Sequence, residues 1–105
     1  METEPANHGF IAIYRWQVDA EHEAHFREHW HDLTLKGREF GAYGSCLTRD
    51  RNGTFVAIAL WPDEEARAKA FAKIDAGSPP DGVYRLSEEM LQVVDDLWVA
   101  SPFSA

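Results

Sequence analysis

The chain has 105 residues, with 18 acidic against 10 basic side chains and a formal charge of −8. That length is one domain's worth, able to bury a core yet small enough to gain from pairing with a second subunit, and the acidic field argues against nucleic acid or an anionic membrane as partner. The single cysteine, Cys46, excludes an internal disulfide and reads as a small buried residue of a cytoplasmic protein rather than a nucleophile.

The start, Met1-Glu2-Thr3-Glu4-Pro5, lacks the basic-then-apolar pattern of a secretory leader. One domain over residues 1–105 is expected, with residues 1–8 a flexible tail before a core over residues 9–100. The longest apolar run, Phe55 to Trp61, falls far short of the ~20 residues that cross a bilayer.

The first strand is predicted over Phe10 to Val18, rich in β-branched and aromatic residues. One alternate set, Phe10, Ala12, Tyr14, Trp16 and Val18, is apolar or aromatic throughout. The opposite set opens with Ile11 and Ile13, the pattern of a sheet covered on both faces. Asp19 then reads as the cap of a helix running from about Ala20 to Phe40, with Glu21 and Glu23 in its first turn. At about 100° per residue, Phe26, Trp30, Leu33 and Phe40 form one core-facing stripe. Gly41 and Gly44 bracket the exit.

Strands two and three read as a hairpin, Ser45 to Asp50 against Thr54 to Trp61, across Arg51-Asn52-Gly53. Val56, Ile58 and Leu60 make one bulky face of the third strand. Phe55, Ala57, Ala59 and Trp61 make another with aromatic ends and a small middle, which leaves room. Pro62 ends the strand, Asp63 opens a second helix, and Ala66, Ala70, Phe71 and Ile74 keep helical spacing until Gly77. After the loop over residues 77–82, a fourth strand is predicted at Met90 to Val94 and Leu97 to Val99, interrupted by Asp95-Asp96, which reads as a bulge, an edge or a departure from the subunit.

The element order is therefore βαββαβ, an α+β ferredoxin-like unit with a four-stranded antiparallel sheet. Right-handed crossovers put both helices on one face, so the other face needs a partner.

Ile13 to Val18, Phe26 and Trp30, Gly41 to Leu47, and Phe55 to Asp63 together resemble the antibiotic biosynthesis monooxygenase family of dimeric α+β barrels. The resemblance runs from Phe10 to Ile74, with Trp61 its most recognisable position. It implies a homodimer whose sheets pair into a barrel, with a pocket in each subunit that binds a small aromatic, polyphenol- or quinol-type molecule and oxidises it with molecular oxygen, without a cofactor. The candidate lining is Trp61, Tyr14, Phe26, Trp30, Ala57 and Ala59. A related branch opens haem with an asparagine in strand one, a tryptophan ending strand three and a histidine in or after helix two. Trp61 matches the second, but no histidine follows His31.

Such chemistry needs a base or a stabilising cation in a dry pocket. His29, His22 and Arg15 are the candidates. His22, His25 and His29 share one side of the first helix and admit three readings: a solvated flank beside Glu21, Glu28 and Asp32, a general base, or a metal site. Arg15 either pairs with a carboxylate, the ordinary arrangement, or reaches a ligand oxyanion. Trp61 either stacks a flat ligand or plugs the core. Tyr14 and Tyr43 can offer a phenolic hydrogen bond, while Glu64 to Lys73 reads as a solvated helix face. A non-catalytic binding dimer of the same fold is the alternative function, and a metal- or haem-dependent enzyme the third.

Overall fold

The structure, a computed structural model, describes residues 9–74 and 79–103. The tail expected over residues 1–8 and the helix stop expected at Gly77 lie outside the described residues. The elements are β1 (Phe10–Val18), a 3-10 turn (Ala20–His22), α1 (Glu23–Glu39), β2 (Gly44–Arg49), β3 (Phe55–Trp61), α2 (Glu64–Lys73) and β4 (Val83–Gln92). The strands form one antiparallel sheet in the order β2-β3-β1-β4, the ferredoxin-like arrangement that βαββαβ implies.

Unbroken pairing of β1 with β3, from Phe10 opposite Trp61 to Trp16 opposite Phe55, carries the apolar set of β1 and the small-centred set of β3 on one face. Both helices pack there. Two buried clusters result: Phe10, Trp61, Ala70 and Ile74 at one end, and Phe26, Phe55 and Val83 at the other. Between them the floor is alanine: Ala12 and Ala57 are buried, and Ala59 is half-buried.

The helix termini follow from local chemistry. Asp63 caps α2 by accepting the Ala66 N–H at 2.7 Å, a contact typically worth about 1 kcal/mol. At the end of α1, Ala42 N–H returns to the Gly37 carbonyl at 3.0 Å and Gly41 N–H to that of Arg38 at 3.3 Å, a Schellman closure. Gly41 supplies the left-handed turn this motif needs, with φ of +108°.

Several expectations are corrected. Asp19 makes no side-chain cap; the 3-10 turn intervenes and His22 occupies the cap position of α1. Phe40 is exposed, because the helix ends one residue before it, and Gly37 takes the buried place in the stripe. Cys46 is exposed, since strand alternation puts it on the sheet face away from the helices.

The largest correction concerns β4, which spans Val83–Gln92 rather than the apolar runs at Met90 to Val94 and Leu97 to Val99. It is an edge strand in which exposed Arg85, Glu88 and Glu89 alternate irregularly with exposed Tyr84, Leu86, Met90 and Leu91, and a register shift opposite Arg15/Trp16 leaves Leu86 as the extra residue and breaks its alternation. Asp95-Asp96 lies beyond the strand. The Asp96 carboxylate accepts the Trp98 N–H at 3.0 Å and the Ser101 hydroxyl, organising a turn.

Candidate functional site

The space between the two clusters is a cavity of about 450 Å³, within the range of about 300–1,000 Å³ that small-molecule sites occupy. Its origin is the sequence of β3: Phe55 and Trp61 fill the ends, while Ala57 and Ala59 leave the middle empty. Trp61, Tyr14, Phe26, Trp30, Ala57 and Ala59, the lining expected from the sequence, all border it. Tyr14 stacks on Trp16 at 5.7 Å, and Trp16 meets the ring of Phe26 edge-on at 5.1 Å, so flat aromatic surface forms one wall. Trp61 is 3% exposed, and its indole N–H is buried without a hydrogen-bond partner among the described residues. Such a donor has a cost of about 1–3 kcal/mol unless a ligand acceptor meets it.

Of the candidate bases only His29 borders the cavity, half-buried on α1. His22 does not, because it belongs to the 3-10 turn and the regular α-helical phase does not extend back to it. Its imidazole lies over Gly82, where a Cβ would collide with the ring, and Gly82 accepts the Asp19 N–H at 2.9 Å. His25 is exposed. The three imidazoles therefore do not converge, and no group of three or more His, Cys, Asp or Glu side chains among the described residues is placed to hold a metal ion.

Arg15 is also corrected. It pairs with Val56 and Ser87 on the sheet face opposite the cavity, as the period of two in β1 requires, and it has no carboxylate partner among the described residues.

The charged groups that do enter the site were not singled out from the sequence. Arg67 of α2 donates to the Tyr14 hydroxyl from Nε at 3.1 Å and from a terminal nitrogen at 2.6 Å. It also donates to Glu88 of β4 at 3.0 Å, and Arg85 lies 3.4 Å from the same carboxylate oxygen. The Arg67 guanidinium covers the ring of Phe71 at 4.7 Å, which shields it from water. Burial pushes the Tyr14 hydroxyl above its ordinary 10.0, against the opposing pull of Arg67, so the phenol stays neutral across the physiological range. One signal for Arg67 was legible: it shares a helical phase with Ala70, Phe71 and Ile74. For Arg85 and Glu88 there was none, since their strand lacks a clean alternation.

No family model matches the sequence, and no curated protein matches it at a significant level. Solved structures do match the fold. A candidate monooxygenase from Shewanella loihica PV-4 aligns over 88% of this chain and 100% of its own, with a TM-score of 0.69 at 14% identity. SnoaB, a cofactor-independent oxygenase from Streptomyces nogalater, aligns over 85% of this chain and 96% of its own, with a TM-score of 0.66 at 17% identity. A candidate antibiotic biosynthesis monooxygenase from Deinococcus radiodurans aligns over 88% and 99%, with a TM-score of 0.63 at 16% identity. No helix among the described residues is long and apolar enough to cross a membrane. Element order, strand order and these alignments agree that the chain has the ferredoxin-like α+β fold that these solved structures share.

Proposed function

We propose that the chain is a cofactor-independent monooxygenase of a small hydroxylated aromatic molecule, acting as a cytoplasmic homodimer. The observation that carries this reading is the cavity of about 450 Å³ with stacked aromatic walls and an alanine floor, in a fold shared with an oxygenase that uses no cofactor. A flat arene fits the slot between Trp61 and the Tyr14–Trp16 stack. His29 borders the same space and is the base that takes the phenolic proton.

The resulting phenolate is electron-rich enough to pass one electron to oxygen, and recombination of the two radicals at a ring carbon gives a peroxide. Loss of water from that peroxide leaves a quinone. One oxygen atom becomes the new carbonyl, and the other leaves as water with the hydrogens of the ring C–H and the O–H. All four electrons come from the substrate, so no external reductant is consumed. The apolar lining keeps bulk water from the intermediates.

The homodimer reading rests on the face of the sheet away from the helices. Ile11, Ile13, Val56, Ile58, Leu60 and Leu91 share that face by strand register, and none of them is buried in the single chain. A second copy laid on this face covers it and closes a barrel.

Oxygen uptake over a panel of hydroquinones and polycyclic phenols, before and after exhaustive chelation, tests the activity. Uptake that survives chelation, with one quinone formed per oxygen consumed, is the expected result. Tight binding of the same compounds without uptake would leave a binding dimer instead.

A further inference from the structure

Tyr14 and Arg67 are 53 positions apart in the chain, yet two nitrogens of one guanidinium converge on one phenolic oxygen. That oxygen has two lone pairs to offer, and Arg67 occupies both; what the hydroxyl has left is its hydrogen. No acceptor among the described residues receives it. The phenol ring is held from the side by Trp16, and the guanidinium is fixed in turn by Glu88 and by the face of Phe71. Tyr14, Arg67, Glu88 and Phe71 all border the cavity. A cation on the oxygen also polarises the O–H bond, which strengthens it as a donor.

We propose that Tyr14 donates a hydrogen bond to an acceptor oxygen, a carbonyl or a phenolate, on the aromatic molecule in the cavity, and that Arg67, steadied by Glu88, is the positioning residue that directs it. This rests on the reading of the cavity as an aromatic site and adds a selection rule. Arenes whose oxygen can accept are retained over hydrocarbons of the same shape. The same contact holds the phenolate before oxidation and the quinone carbonyl after it.

The test pairs two probes of nearly equal shape, 2-acetylnaphthalene and 2-ethylnaphthalene, titrated calorimetrically into the full chain. Wild type is expected to bind the ketone roughly 5- to 10-fold more tightly, the worth of one hydrogen bond. Tyr14→Phe, which keeps the ring and removes only the hydroxyl, should erase that preference. Arg67→Met should weaken the preference and, unlike a merely structural lesion, move the ultraviolet titration of Tyr14 upward, with Arg67→Lys restoring part of both. The charged groups acting on Tyr14 in that titration are Arg67 from α2 and Glu88 and Arg85 from β4, and His29 of α1 borders the same cavity. A ketone preference that survives in folded Tyr14→Phe overturns the proposal and leaves the aromatic site standing. Failure of both probes to bind wild type removes the aromatic site and the proposal together.

Discussion

Gly37 stands opposite the indole of Trp61: a Cβ on Gly37 would lie 3.9 Å from ring carbon Cη2, and 3.7 Å from the Cβ of Ala42. The two meet where α1 packs on the end of β3, at the end of the cavity that Trp61 closes. Those distances are ordinary van der Waals contact, so the position accepts a methyl group without displacing its neighbours.

Gly37→Ala should therefore stabilise the protein. A helical alanine is about 0.5–1 kcal/mol better than glycine, and the added methyl meets existing apolar surface. Thermal unfolding should show a higher Tm, and a lower one would mean that Trp61 cannot tolerate even this contact.

Tyr14 makes the alkaline limb of stability predictable. Its hydroxyl is held above 10.0 mainly by burial, so the native phenol keeps its proton where the unfolded one has lost it. The stability this contributes is fully present below about pH 10 and is lost as pH rises through the native value. Arg67 and Glu88 act in opposite directions on it. Arg67→Met should raise the native value further and Glu88→Gln should lower it, as read from the absorbance of the phenolate. Shifts of equal sign in the two variants would contradict the charge arrangement around the hydroxyl.

His29→Ala should lower oxygen-dependent turnover of an active phenol by roughly 100-fold or more, the usual range for a lost general base. Its stability should stay within about 0.5 kcal/mol of wild type, because the imidazole is only half-buried. His22→Ala should leave turnover in place, since that ring lies over Gly82 and outside the cavity. Steady-state oxygen consumption distinguishes the two variants, and undiminished turnover in His29→Ala would remove it from the base role.

Ile58→Asp tests the subunit arrangement. Ile58 sits mid-strand on the apolar sheet face, opposite Ile13 and Cys46. In the proposed dimer an unpaired carboxylate there would be buried in the interface, and it should weaken association by roughly 100-fold or more while leaving secondary structure intact. Sedimentation of both chains checks this: the proposal expects a dimer for wild type and a monomer for the variant at the same concentration. A variant that remains dimeric would show that this face is not the contact.

Local patterning carried much of the fold. β1 begins and ends where its composition predicts, because nine consecutive residues favour an extended chain and a polar turn follows. Asp63 was legible as a cap, since a short acidic side chain after proline has few better uses. The emptiness beside Ala57 and Ala59 was legible too, because alternation alone shows which face lacks volume. α1 was less accurate at its start, where a 3-10 turn changes the phase of His22, and at its end, where Gly37 rather than Phe40 faces the core.

β4 and the polar half of the site depended on the tertiary fold. An edge strand buries little and so carries little hydrophobic signal, and the bulge at Leu86 breaks what alternation remains. Tyr14, Arg67 and Glu88 come from three different elements, and no spacing rule links them. Periods of 2 and 3.6 residues report which side of an element is apolar, and that was enough to identify the strands, the helices and the room between them. They carry no information about which charged side chains from separate elements will share one cavity, because that follows from the register of β4 and the packing of α2 across the sheet.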